Sequence, residues 1–157
     1  MKNGLRKVNK DLKHYNFTWP SEVGAIAKCS DWNPEPACGG GLHFLPEAQG
    51  HYGLLKGQYW VVIEYDETKA IDIDGGKSKV EECKIVYFSE DPSGLLKFFD
   101  LEKFDSEWAY WWARNIGNQD IMIDRVTESE WAYRWTKNIG NHDIMIDKFP
   151  ELAENLK

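Results

Sequence analysis

DSEWAYWWARNIGNQDIMIDRV, residues 105–126, is followed one residue later by ESEWAYRWTKNIGNHDIMIDKF, residues 128–149. Trp108 aligns with Trp131, so the chain repeats itself with a period of 23 residues. Trp108, Trp112 and Ile116 fall at i, i+4 and i+8, as do Trp131, Trp135 and Ile139, which predicts one apolar helical stripe per copy. Ala109 and Ala132 leave room for close packing beside the stripe. Ser106 and Ser129 read as helix N-caps with acidic residues in the first turn. Gly117 and Gly140 suit the left-handed position after a helix. Asp120 and Asp143 read as caps of a second, short helix, IMIDRV or IMIDKF. A 23-residue helix–turn–helix unit cannot bury its own stripe, so units must stack on neighbours. DPSGLLKFFDLEKF (91–104), with Ser93 as N-cap, is expected to be a helix covering one side, and PELAENLK (150–157) the other. A homodimer would also cover the tryptophan-rich edges.

Upstream the pattern changes from helical to extended. WVVIEYD (60–66) and CKIVYF (83–88) are β-branched and aromatic runs, hence strands. IDIDGGKSK (71–79) alternates apolar and acidic residues before a Gly-Gly turn. GAIAKCSDW (24–32) reads as a further short strand, DWNPEPACGGG (31–41) as loop, and PEAQGHYGLL (46–55) as a helical turn or loop. The expected fold is α+β: a small, mostly antiparallel β-sheet module over residues 1–91, followed by α-helical repeats over residues 92–157.

Of the 157 residues, 42% are apolar and 29% charged, the balance of a globular, soluble chain. Nowhere is there a run of roughly 20 apolar residues, the length of a membrane-spanning helix. The N-terminal MKNGLRKVNKDLKHYN has no apolar stretch of a signal peptide, so a cytoplasmic location is expected. The three cysteines, an odd number, then read as free thiols. The net charge of −7 makes nucleic acid an unsuitable general partner, because phosphate contacts need cations. The first thirteen residues are locally basic and read as a solvated terminus.

CGGGLH (38–43) concentrates the groups capable of chemistry. Cys29, Cys38, His43 and Cys83 are four conceivable zinc ligands, but C-x8-C-x4-H lacks the tight C-x2-4-C knuckle of structural zinc sites. Cys29 and Cys83 equally fit small buried residues on strands. The glycines could present backbone N–H groups to an anion, yet neither a P-loop nor a G-x-G-x-x-G context surrounds them, and no cofactor is implied. The plainer reading is a positive-φ turn entering a strand, with Leu42 and Phe44 facing a core and His43 pointing the other way. A Cys38–His43 thiol–imidazole pair is a further reading, if the two lie within hydrogen-bond reach.

KVNKDL, NFTWPSEVGAIAKCSDWNPEPACGGGLHF, WVVIEYDE and KIVYF together resemble an uncharacterised family of small bacteriophage and prophage proteins. Its members show an N-terminal lysine–valine–asparagine strand, a C-x-G-G-L-H type motif, a hydrophobic strand and a terminal K-I-V strand, often followed by WAY-type repeats such as SEWAYWWARNIGN. The resemblance covers residues 7–88 and, more loosely, the repeats. The full triple glycine and KHYN, in place of a cysteine–arginine pair, depart from it. It implies a context, an accessory protein inside a bacterial host cell, rather than an activity. The GLH strand and VVIEYD also loosely resemble the ADP-ribosyltransferase-like fold. On that resemblance His43 would orient a nicotinamide nucleotide and Glu64 or Asp66 would be the acidic partner, giving a small enzyme or nucleotide-binding protein with His43, Cys38 and Glu64 as catalytic candidates.

The repeats point instead to a binding surface. Trp111 is replaced by Arg134 in the second copy, which predicts an exposed position, and an exposed tryptophan beside carboxylates suits a protein interface. Asp120, Asp124, Asp143 and Asp147, with Asp105, Glu107, Glu128 and Glu130, recur at the repeat interval. They read as caps and a solvated face, or as a surface for a basic partner. The leading expectation is a phage-type protein–protein interaction module that binds a bacterial host or phage protein, as an inhibitor of host defence, through Trp111, Arg134 and the four aspartates.

Overall fold

A computed structural model describes residues 1–155 and divides into two compact units, Met1–Phe99 and a second beginning at Asp100. The first holds the sheet and the second the helices, so the protein is α+β.

Nine strands form in the first unit: β1 (Lys2–Val8), β2 (Lys13–His14), β3 (Phe17–Thr18), β4 (Ile26–Lys28), β5 (Leu42–Pro46), β6 (Tyr59–Tyr65), β7 (Ile71–Ile73), β8 (Lys77–Val80) and β9 (Glu82–Ser89). Seven make one sheet in the order β4-β9-β6-β1-β5-β8-β7, and every pairing is antiparallel. β2 and β3 form a separate small hairpin. The run WVVI is apolar at successive positions because β6 is central and buried on both faces. Val61, Ile63 and Tyr65 join Val8, Trp19, Leu42, Phe44, Val80, Cys83 and Ile85 in one apolar core.

The basic N-terminus is not a solvated tail. Lys2–Val8 pairs with β6 along its whole length, Lys2 opposite Tyr65 and Val8 opposite Tyr59, which places it inside the sheet. Leu5 is fully buried and Arg6 is buried with it. The register decides this: β6 pairs with every residue of the strand, and β5 joins it on the other side at Gly4 and Leu5.

CGGGLH is a turn running into β5, as its glycines suggest. Gly40 has φ +58, and a Cβ there would fall 2.5 Å from Asn33, whose backbone N–H donates to the Gly40 carbonyl at 2.8 Å. Leu42 and Phe44 are buried in the core, while His43 is half-buried on the opposite face.

Residues 92–99 belong to the first unit, so the boundary lies at 99/100 rather than 91/92. The expected helix from Ser93 is replaced by short 3-10 turns at Pro92–Gly94, Leu96–Phe98 and Leu101–Lys103. Asp91 and Asp100, not Ser93, cap the first and last of these, each accepting from the backbone N–H two residues on. Asn3 Nδ2 donates to the Phe98 carbonyl at 2.9 Å, which fastens this segment to the end of β1.

The second unit contains α1 (Ser106–Asn115), α2 (Gln119–Met122) extended by a 3-10 turn at Ile123–Arg125, α3 (Ser129–Asn138) and α4 (His142–Lys148), with a 3-10 turn at Pro150–Ala153. Trp108, Trp112 and Trp135 are buried as the stripe predicts, as are Ala109 and Ala132, but Trp131 is only half-buried. Gly117 and Gly140 take positive φ, and each donates to the carbonyl of the buried tryptophan before it, Trp112 and Trp135, at 3.1 Å.

The caps differ from expectation. Asp105, not Ser106, caps α1, accepting from the Trp108 N–H at 2.8 Å. Ser106 is buried, and its Oγ accepts the backbone N–H groups of Thr127 and Glu128 at 2.9 and 3.2 Å, so it serves the start of α3 instead. Glu128 takes the N-cap place of α3 without a side-chain hydrogen bond, displacing Ser129. Asn118 and Asn141, rather than Asp120 and Asp143, precede α2 and α4, both in the left-handed conformation.

Candidate functional site

The helical candidates are spread over a solvated surface. Asp120, Asp124, Asp143 and Asp147 are all exposed, as is Arg134. The Arg134 guanidinium lies 4.7 Å from the Trp131 ring centre and its Nη2 is 3.7 Å from Glu130. Trp111 is half-buried rather than free: its ring meets Tyr110 edge-on at 5.1 Å and Arg114 at 5.7 Å. Among the described residues, the exposed large apolar groups of this unit are Ile121, Tyr133 and Ile144. Tyr133 and Tyr110 occupy the same position in the two copies, yet Tyr110 is 1% exposed and Tyr133 37%.

The chemical candidates converge elsewhere, at a cavity of about 410 Å³ in the first unit, adjoined by a smaller one of about 170 Å³. β1 pairs with β5 only at Gly4 and Leu5, opposite Pro46 and Leu45. Beyond that point the strands part, and the cavity opens between them. Arg6, His14, Tyr15, Gly39 and His43 line both spaces, and Lys7, Cys38, Leu54 and Lys77 line the larger. Asp31 lines the smaller.

Arg6 spans the parted strands. Its Nη1 donates to the His43 carbonyl at 2.7 Å, replacing a ladder bond that β1 no longer makes. Its guanidinium stacks on Trp19 at 4.5 Å. Burial lowers its pKa to about 10. Among the described residues no carboxylate pairs with it, and its Nε has no hydrogen-bond partner. His43 Nε2 is likewise buried and unpartnered. Burial first, then the cations Lys77, Arg6 and Lys79 and neighbouring His14, push the His43 imidazole down to about 4, so it is neutral at pH 7. His14 is lowered by burial, then by Arg6 and Lys77. Lys79 is fully buried on β8 opposite His43, and its Nζ donates to the carbonyls of Ala37 and Gly39 at 3.0 Å each, pinning the glycine loop to the sheet.

Cys38 and His43 therefore share one cavity, with Cys38 exposed and His43 half-buried. Glu64 is not brought there: it lies on β6 opposite Asn3 and Lys84 and lines neither space. Asp66 caps the 3-10 turn at Glu67–Lys69 through the Thr68 N–H. Cys29 and Cys83 are buried free thiols in the apolar core, and burial pushes the Cys83 thiol up to about 12. Among the described residues, no three His, Cys, Asp or Glu side chains gather as a metal-binding group, so the four zinc candidates do not form one. Nor does any described helix have the length and apolarity to cross a membrane.

Sequence reasoning missed Arg6, His14 and Lys77. They lie on β1, β2 and β8: the sheet order sets β1 and β8 on either side of β5, and the separate β2–β3 hairpin brings His14 to the same cavity. The available signal was a pair of cations, Arg6 and Lys7, bracketed by Leu5 and Val8, where a solvated tail would not need the apolar pair. The chain matches none of the family models, curated proteins or solved structures with which it was compared.

Proposed function

We propose that the protein is an interaction module of a bacteriophage or prophage that acts in the host cytoplasm. It binds a host protein, as an inhibitor of defence, through the free face of its helical unit. The pairs α1–α2 and α3–α4 act as successive copies of one 23-residue unit, and the partner takes the place of a third.

The observation that carries this reading is the unequal fate of Tyr110 and Tyr133. Tyr110 is covered: its ring lies 5.5 Å from Trp131, and its hydroxyl accepts from Asn138 Nδ2 at 2.9 Å and Arg114 Nη1 at 3.2 Å. Tyr133, one repeat later, is 37% exposed with Lys137 Nζ 5.4 Å from its ring centre, and Ile144 is 50% exposed against 37% for its counterpart Ile121. A cation at the same repeat position, Arg125 and then Lys148, also ties each copy to the segment before it, though to carbonyls that are not 23 residues apart. Arg125 Nη2 donates to the carbonyls of Glu102 and Phe104 at 3.2 and 3.4 Å, and Lys148 Nζ donates to those of Ile123 and Val126 at 2.8 Å each. A partner helix laid on Tyr133 and Ile144 would find an aromatic anchor of the kind that dominates interfaces. The exposed Asp120, Asp124, Asp143 and Asp147 favour a basic rim on that partner and speed its approach.

Affinity capture from bacterial lysate, read by mass spectrometry, tests the reading with Tyr133→Lys and an Asp124→Lys/Asp147→Lys double variant beside the unaltered chain. A single host protein retained by the unaltered chain and lost with Tyr133→Lys is the expected result. Retention undiminished by both variants places binding elsewhere, and capture of further copies of this chain alone turns the face into a self-association surface.

A further inference from the structure

We infer that the cavity between β1 and β5 is a binding site for a small organic phosphate, with the phosphate held by Arg6, Lys77, His43 and His14.

The argument begins with charge. The protein as a whole is acidic, yet the larger cavity is lined by Arg6, Lys7, Lys77, His14 and His43, with no carboxylate among its lining residues. Lys7 lies over the Trp60 ring at 4.2 Å and Arg6 over the Trp19 ring at 4.5 Å, and Lys77 joins them as the third cation lining the space. A buried guanidinium is costly unless something negative or hydrogen-bonding meets it. Arg6 spends one N–H on a backbone carbonyl and keeps a buried Nε without a partner, and His43 Nε2 beside it is in the same condition. Of the three buried side-chain nitrogen or oxygen atoms without a partner among the described residues, two belong to residues that line this one cavity. Buried donors without partners beside an open space are what an anion would satisfy. The glycine loop adds room rather than charge: Gly39 lines both spaces, and Lys79 holds its carbonyl turned toward the sheet.

The mouth of the cavity specifies more than an inorganic ion. Tyr15, at the tip of the β2–β3 hairpin, is 91% exposed, and Leu54 on the opposite lining segment is 47% exposed. Exposed apolar groups at the rim of a cationic cavity suit a ligand with a phosphate at one end and a flat or apolar body at the other. The volume lies in the usual range for small-molecule sites, roughly 300–1,000 Å³. A nucleoside monophosphate and a sugar phosphate share this chemistry, and the two are separable by measurement.

Isothermal titration calorimetry on the full chain, with AMP, ribose 5-phosphate, inorganic phosphate and adenosine as probes, is the test. The expected result is binding of AMP, with adenosine at least about tenfold weaker, since a charge-assisted contact contributes on that scale. Lys77→Ala and Arg6→Met should each weaken AMP by about tenfold or more on the same ground. Arg6 is buried, so Lys77→Ala, at a half-buried strand position, decides the matter if Arg6→Met does not fold. AMP tighter than ribose 5-phosphate assigns the base to Tyr15 and Leu54. Equal affinities assign the phosphate ester alone, and either result supports the site. No heat with any of the three phosphate compounds, or AMP binding unchanged in a folded Lys77→Ala variant, overturns it.

Discussion

The Trp112 indole Nε1 donates to Asn118 Oδ1 at 2.9 Å, and 23 residues later Trp135 donates to Asn141 at the same distance. Both tryptophans are fully buried, so each indole N–H has to be met inside the protein. Both asparagines sit at left-handed φ, +57° and +58°, a conformation asparagine tolerates better than most residues. One residue type thus serves the turn and the buried donor together. Asn118→Ala removes this acceptor and strains the turn. The expected loss is about 2–3 kcal/mol, the sum of a lost buried hydrogen bond and a left-handed alanine. Asn118→Asp, which keeps the acceptor, should lose less. Chemical denaturation of both variants reads the difference, and equal small losses would show that the bond contributes little.

The three cysteines should differ sharply in reactivity. Cys38 is exposed in the glycine loop, whereas Cys29 and Cys83 are buried, and burial raises the pKa of both. Since the thiolate is the reactive form, a thiol reagent should modify one cysteine per folded chain at pH 8, at Cys38, and all three only after unfolding. Mass mapping of the labelled protein checks this, and fast native labelling at Cys83 would contradict the placement of β9 in the core.

Acid should weaken the fold through His43. Its pKa is lowered to about 4, so folded and unfolded chains are both neutral there above pH 6.5. Between 6.5 and 4 the unfolded chain takes up a proton that the folded site resists, and stability falls as pH falls. Below about 4 this contribution levels off. The site is only half-buried, and after allowance for solvent screening the loss is about 1–2 kcal/mol. His14, lowered in the same direction, adds to the slope. Urea midpoints at pH 7 and 4.5 for the unaltered chain and His43→Gln measure it: the variant should show the shallower fall.

How far the sequence revealed these features depended on whether a residue's role is local. Strands β6 and β9 were legible because WVVIEY and CKIVYF carry β-branched and aromatic runs. The β7–β8 hairpin was legible from its Gly-Gly turn, and the facing of Leu42, His43 and Phe44 from simple alternation. β1 was not, because Lys2, Arg6 and Lys7 look like a solvated arm until pairing with β6 and β5 surrounds them. The segment after Asp91 had helical spacing, but Asp91, Pro92 and Asp100 favour short capped turns, and local capping won. At the cavity, Cys38 and His43 were legible as neighbours in CGGGLH. Arg6, His14 and Lys77 were not, since their meeting depends on the sheet order and on where the separate β2–β3 hairpin lies. Glu64 was misplaced because β1 stands between β6 and β5, and Glu64 pairs with Asn3, on the other side of the Gly4–Leu5 pairing from the part of β1 where the cavity opens.

The most direct test of the proposed binding face is site-specific photo-crosslinking in bacterial cells, with a benzophenone side chain placed at position 133, at 144, or at the exposed control position 23, which lies in the first unit. The account predicts one and the same protein partner crosslinked from 133 and 144 and not from 23. Crosslinks from 23 as strong as those from 133, or none from either helical position, would contradict it.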